Sequence, residues 1–160
     1  MKAEILLFLV LAAVFSCSHR NPEIIHMDFL DLVSIQLPSY SYEKIDSSLI
    51  NRDLYYLVNE SNPKNIEDSM IWNFIKTDHF IQQEIHQNYF RLNIMFYHQS
   101  ENTDIVTKHR TSRYLSDCNQ DEVSEYEWNQ GKFNIVWHFD NGIMRGSENI
   151  ILEDIKHHGQ

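Results

Sequence analysis

The sequence predicts an α+β fold in which an N-terminal strand pair and one long helix precede an antiparallel β-meander packed on that helix. Three observations predict this order. Apolar residues recur at helical spacing between residues 63 and 87, and from Tyr89 onward the apolar period changes to two. Asn141-Gly142 then supplies the positive φ angles that a tight hairpin turn needs. A sheet with one face covered by a helix follows from these elements.

The strand pair is predicted from two segments rich in β-forming residues. The first covers residues 28–37 and ends before Pro38, which has no N–H to donate to a strand ladder. The second covers residues 49–59. Both segments precede the helix, so the chain starts with sheet.

The long helix is predicted for residues 63–87. Asn62-Pro63 is a typical helix start, because proline is well tolerated at the first helical position. Ile66, Met70 and Phe74 then recur on one face. The helix is either continuous or broken near Thr77-Asp78, where a side chain can cap a second helix.

The meander is predicted from alternating apolar residues and turn signals. Residues 89–97 alternate, and residues 105–114 are expected to return as a polar edge strand. Gln130-Gly131 and Asn141-Gly142 are expected to turn two hairpins, the second of which continues to residue 152. These segments complete one antiparallel sheet.

The N-terminus carries an apolar run over residues 5–15, directly after Lys2. A helix that spans a bilayer needs roughly 20 apolar residues, whereas a secretory signal uses 7–15. The run ends at Val14-Phe15-Ser16-Cys17, before a polar segment. It therefore predicts an export signal.

Val14-Phe15-Ser16-Cys17 resembles the lipobox of bacterial lipoproteins, in which a small residue precedes the cysteine that becomes acylated. The resemblance implies a signal peptide over residues 1–16, a lipidated Cys17 with a tether over residues 17–27, and one domain over residues 28–160. It also implies anchorage in the cell membrane or outer membrane, facing the periplasm. Ordinary signal cleavage and a retained anchor are the alternatives.

Cys17 and Cys118 are the only cysteines in the chain. If Cys17 carries lipid, Cys118 is either buried and inert or available for an intermolecular bond in an oxidising compartment. If Cys17 is not lipidated, a Cys17–Cys118 disulfide is the expectation.

Charge and motifs exclude several function classes. A formal net charge of −10 argues against binding to a phosphate backbone, which depends on Lys and Arg. His79 and His86 share a helix face without a third ligand, so no metal site is predicted. No phosphate loop, dinucleotide fingerprint or nucleophile motif occurs, so we expect no cofactor and no catalysis.

The acidic stretch after residue 116 is the candidate partner-binding region. A charge run of this kind is usually a solvated loop, and its second interpretation is a docking patch for a basic partner. Aromatic residues are expected mostly in the core, but exposure of Tyr40, Tyr42 or Trp128 would indicate a protein-binding surface. The candidate residues are Asp117, Asp121, Glu122, Glu125, Glu127 and Trp128.

The sequence thus favours a membrane-anchored, non-catalytic protein-binding module, with an inhibitor or immunity-type role against a basic secreted protein. The alternatives are an envelope accessory or assembly lipoprotein, a carrier of an apolar ligand, and a hydrolase, which requires converging polar groups in a cleft. Partner proteins and the membrane are the expected contacts, and nucleic acid is not.

Overall fold

The computed structural model describes residues 22–35 and 47–148. The predicted signal, Cys17, Pro38, Tyr40, Tyr42 and residues 149–152 of the last predicted strand lie outside these ranges. Within them the fold is α+β, with three α-helices and a seven-stranded, mostly antiparallel sheet. None of these helices is both long enough and apolar enough to cross a bilayer.

The sheet follows the order β1-β3-β4-β5-β6-β7, and β2 also pairs with β3. All neighbouring strands are antiparallel except β3 and β4, which are parallel. A parallel pair needs a long crossover connection, which is usually helical. The strands are β1 (Ile24–His26), β2 (Leu32–Ile35), β3 (Ile50–Val58), β4 (Arg91–His98), β5 (Glu122–Asn129), β6 (Lys132–Asp140) and β7 (Ile143–Glu148).

The N-terminal strands differ from their predicted bounds. β1 pairs with the end of β3 and lies inside the segment predicted as a tether. β2 pairs with the start of β3, and a 3-10 turn at Asp28–Leu30 separates it from β1. The turn places Leu30 in the core, where it is 1% exposed, so residues 28–30 are not part of a strand. The second predicted strand is confirmed as β3.

The predicted long helix forms two α-helices, α1 (Asp68–Thr77) and α2 (His79–His86). They meet at Asp78, whose carboxylate accepts a hydrogen bond of 2.9 Å from the backbone N–H of Ile81. This cap ends one helix and begins the next. The predicted start at residue 63 is a 3-10 turn instead, because the backbone is extended at Ile66 and Glu67.

The crossover from β3 to β4 runs through α1 and α2, which cover one face of the sheet. This helix face holds the larger core. Its strand residues alternate with side chains on the opposite face, as the period of two requires. The fully buried members include Leu54, Tyr56, Ile71, Ile75, Ile81, Leu92, Ile94, Phe96 and Tyr126.

The edge strand predicted for residues 105–114 is wrong. This segment contains α3 (Glu101–His109) and the start of a 3-10 helix, Ser112–Asp121. Ser100 and Thr103 form a reciprocal capping box that begins α3, and Val106 is buried beneath it. Together with the 3-10 helix, α3 covers part of the second sheet face over a smaller core.

Both predicted hairpins are confirmed. Gln130 and Gly131 join β5 to β6 with φ values of 51° and 72°, and Asn141 and Gly142 join β6 to β7 with 50° and 72°. A side chain at Gly142 would also meet the backbone oxygen of Asn119 at 2.9 Å, so this turn packs on the 3-10 helix.

Candidate binding surface

The predicted acidic docking stretch is divided among three environments. Asp117 is exposed on the 3-10 helix. Asp121 is 5% exposed, accepts a hydrogen bond of 3.2 Å from Asn102 Nδ2 and lies 3.6 Å from His98 Nε2. It therefore ties the 3-10 helix to the end of β4 and to α3.

Trp128 lies in the core and not at the surface. It is 5% exposed, and its ring centroid lies 5.2 Å from Phe133 and 6.4 Å from Trp72. Side chains alternate across β5, so Trp128 joins Tyr126 on the helix face while Glu127 points to the other side.

The remaining predicted carboxylates lie on the second face of the sheet, where they meet a residue that the sequence did not single out. Asp53 on β3 is the register partner of Asn93 on β4, and Asn93 is the partner of Glu127 on β5. Glu125 and Glu122 follow along β5 opposite Met95 and Tyr97. We call Asp53, Glu122, Glu125 and Glu127 the acidic face.

Burial raises the pKa values of three of these carboxyl groups, and mutual repulsion adds to the shift of two of them. Desolvation raises the pKa of Glu122 to about 7, and the neighbouring Glu125 adds to the effect. The pKa of Glu125 is raised by burial and then by Glu127 and Asp53. Burial also raises the pKa of Asp53. Like charges in a partly dry site disfavour ionisation in this way.

Arg91 is a cation that acts on the acidic face. It lowers the pKa values of both Asp53 and Glu125, although burial outweighs it in each case. Within residues 22–35 and 47–148, its Nε atom is buried without a hydrogen-bond partner. Arg91 therefore acts on two of the four carboxylates, and Arg52 also lowers the pKa of Asp53. The acidic face keeps an excess of carboxylates over guanidinium groups.

Amide side chains fill the space between the carboxylates. Asn93, which is 7% exposed, donates a hydrogen bond of 2.9 Å to Asp53 Oδ1. Asn129 and Asn134 both donate to Glu127 Oε1. Asn93 Oδ1, Asn51 Oδ1 and Glu122 Oε1 are buried acceptors for which the described part of the chain offers no donor. Unmet buried acceptors of this kind cost stability.

Trp137 borders the acidic face. It is the cross-strand partner of Glu125, and directly opposed residues of antiparallel strands point to the same face. Trp137 is partly exposed and belongs to neither core cluster, in contrast to Trp72 and Trp128. Apolar residues alternate through Trp137 along β6, so the sequence pattern gave no signal that this side chain is partly exposed.

A second charged cluster lies on the helix side of β3 and differs in its pairing. Arg52 donates to Asp31 at 3.0 Å and to Glu84 at 3.1 Å. Asp31 also contacts His26 Nε2 at 3.1 Å, and Glu84 accepts from the hydroxyl of Tyr89 at 3.1 Å. We call these five residues the Arg52 network. It joins β1, β3, α2 and the residue before β2, and it stabilises the fold.

Cys118 is a free, buried thiol in the smaller core. Burial raises its pKa to about 11, with Asp121 and Asp117 adding to the shift. A thiol with so little thiolate is a poor nucleophile. The buried and inert alternative for this residue is therefore the one that the structure favours.

No protein-family model, curated protein or solved structure matches the chain. Among the described residues, no group of three or more His, Cys, Asp or Glu side chains has an arrangement that could hold a metal ion. The acidic face and the N-terminal sequence are the features that bear on function.

Proposed function

We propose that this protein is a lipid-anchored, periplasm-facing binding module that holds a basic protein partner against its acidic face. The observation that carries the proposal is the grouping of four buried or partly buried carboxylates on one sheet face, three of which have raised pKa values. An inhibitor or immunity-type role against a basic secreted protein is the version we favour. An envelope accessory role is the alternative.

Electrostatics supports recognition as the purpose of this surface. Carboxylates whose pKa values are raised by burial, and further by neighbouring carboxylates, are stabilised when a cation approaches, since the cation favours the ionised form. A net charge of −10 also steers a basic protein towards the domain and speeds its association. The acidic face would then provide the local contacts that hold the partner.

The packing of the surface also supports a protein partner. Protein interfaces are typically enriched in aromatic side chains. Trp137 provides such a side chain beside Glu125. The acidic face is already partly desolvated, so a partner's cation would pair there more strongly than at a fully solvated surface.

The anchor part of the proposal rests on Val14-Phe15-Ser16-Cys17 and is tested separately. Cys17→Ser removes the acylation site, so we expect the protein to leave the membrane fraction and to lose the mass of its acyl chains. If the protein stays in the membrane fraction with an unchanged lipid content, the anchor is not at Cys17.

Cross-linking in intact cells tests the binding part. A photoreactive benzophenone side chain at position 135 would lie on the second sheet face, since Ile135 is the register partner of Glu127. The matched control carries the same group at Gln83, which is exposed on α2. We expect position 135 alone to capture a protein with a basic isoelectric point, and Glu125→Gln to reduce that product.

The pattern of capture also separates the two roles. A partner that is captured in unchallenged cells favours the accessory role, and one that is captured only when a secreted basic protein is supplied favours the inhibitor role. The proposal would be overturned if positions 135 and 83 captured the same protein in equal yield. It would also be overturned if Glu125→Gln left the yield from position 135 unchanged.

A further inference from the structure

We infer that the acidic face takes an arginine side chain of its partner, with the guanidinium paired to Glu125, close to Asp53, and stacked on Trp137. This inference rests on the proposed function and specifies the chemical group that the surface recognises. It goes beyond charge attraction, because an acidic surface by itself accepts lysine and arginine alike.

Glu125 and Trp137 lie directly opposite each other on neighbouring strands, and their side chains share one sheet face. Because Glu125 and Trp137 are cross-strand partners on one face, their Cβ atoms lie about 5 Å apart. A planar guanidinium can donate two N–H groups to the carboxylate while its plane lies on the indole ring. A lysine ammonium pairs with the carboxylate as a point charge and has no plane to stack.

The site also holds buried hydrogen-bond acceptors that have no donor among the described residues. Asn93 is more than nine-tenths buried, and its Nδ2 donates to Asp53 while its Oδ1 has no donor among the described residues. Glu125 receives no hydrogen bond from any side chain in residues 22–35 and 47–148. Arginine brings five donors in a rigid fork, and lysine brings three on a single nitrogen.

The hydration of the site also favours arginine over lysine. Burial is the largest cause of the raised pKa values of Asp53, Glu122 and Glu125, so a ligand must shed water to reach these groups. A guanidinium is more weakly hydrated than an ammonium and loses less when it is desolvated. A partly dry acidic surface therefore discriminates in favour of arginine.

Two peptides of equal charge test the inference on the full-length protein in detergent. Hexa-arginine and hexa-lysine are titrated at equal ionic strength, and binding is followed by tryptophan fluorescence and calorimetry. Trp72 and Trp128 pack on the helix face, whereas Trp137 lies on the opposite face beside Glu125, so a fluorescence change would come chiefly from Trp137. We expect hexa-arginine to bind roughly fivefold more tightly, the size of one stacking contact.

Variants assign the preference to its residues. Trp137→Leu should lower the affinity for hexa-arginine to the level of hexa-lysine, and Trp137→Phe should keep part of the preference. Glu125→Gln should weaken the binding of both peptides. Glu23→Gln makes the same charge change at an exposed site on the N-terminal side of β1 and should leave the binding of both peptides unchanged. The comparison of the two peptides on the parent protein needs no variant to fold.

The outcomes distinguish the inference from the proposed function. If both peptides bind with equal affinity and Glu125→Gln weakens the binding of both, the arginine inference is overturned and the acidic binding surface stands. If neither peptide binds, or if Glu125→Gln leaves binding unchanged, both are overturned. An arginine preference that Trp137→Leu abolishes supports both.

Discussion

The Arg52 network and the acidic face lie on opposite sides of β3, and both hold partly buried carboxylates. In the Arg52 network, Asp31 and Glu84 each accept a hydrogen bond from the same guanidinium. On the acidic face, Arg91 lowers the pKa values of Asp53 and Glu125 without overcoming their burial. The first arrangement holds elements together, whereas the second leaves charge that a partner can neutralise.

This difference separates charge used for folding from charge available for binding. A buried ion pair is costly to break, because removing one partner leaves the other charge buried and unpaired. A crowded set of like charges behaves in the opposite way, since removing one relieves the others. Substitutions in the two regions should therefore change the free energy of unfolding in opposite directions.

The largest effect is expected at Arg52. Arg52→Gln leaves Asp31 and Glu84 without their cation, and their side chains are only 9% and 16% exposed. We expect a loss of about 3 kcal/mol in the free energy of unfolding, measured by urea denaturation at pH 7.5. The control Arg52→Lys keeps the positive charge but not the planar set of N–H donors, so its free energy of unfolding should fall by less. Equal losses in both variants would contradict the paired geometry.

A smaller effect of opposite sign is expected at Glu122. Its pKa is raised from 4.5 to about 7, so the folded protein binds its proton more tightly than the unfolded chain does. Stability from this group is therefore fully present below pH 4.5 and is lost as the pH rises through 7. Because the site is partly exposed, we estimate the loss at about 2 kcal/mol.

Glu122→Gln should remove this pH dependence. We expect the variant to match the parent at pH 4.5 and to be the more stable of the two at pH 8, as measured by urea denaturation at both values. Glu23→Gln is the matched control and should follow the parent at each pH. A variant that is less stable than the parent at pH 8 would contradict the unfavourable ionisation of Glu122 that burial and Glu125 cause.

The smallest effect is expected at the end of the Arg52 network. Tyr89 donates to Glu84 at 3.1 Å, and Tyr89→Phe removes only that hydrogen bond. We expect a loss of about 1 kcal/mol in the free energy of unfolding. In the Arg52→Gln background the same substitution should cost a different amount, since residues of one network are coupled. Strict additivity would show that Tyr89 acts independently of Arg52.

Local sequence signals predicted some elements and not others. The Asn141-Gly142 hairpin followed from the backbone angles that its turn needs, and β3 followed from its β-forming residues. α3 was missed because its capping box uses Thr103 in place of the usual Glu or Gln. β1 is three residues long and depends on pairing with β3, which leaves no local signal.

The candidate surface was predicted in part. Glu122, Glu125 and Glu127 were singled out from their charge, and the structure brings them together with Asp53, which is distant in sequence. Alternation shows that neighbouring residues of a strand face opposite sides, but it does not show which side the helices cover. That choice depends on the β3–β4 crossover and places Trp128 in the core, with Trp137 outside it.

The most direct test of the account is the pKa of Glu122, measured by carbon-detected NMR titration of its side-chain carboxyl with and without hexa-arginine. We predict a value of about 7 in the free protein, since burial and Glu125 disfavour its ionisation. Saturation with hexa-arginine should lower this pKa by roughly one unit or more, because a nearby cation favours the carboxylate. An ordinary pKa in the free protein, or one that the peptide leaves unchanged, would contradict the account.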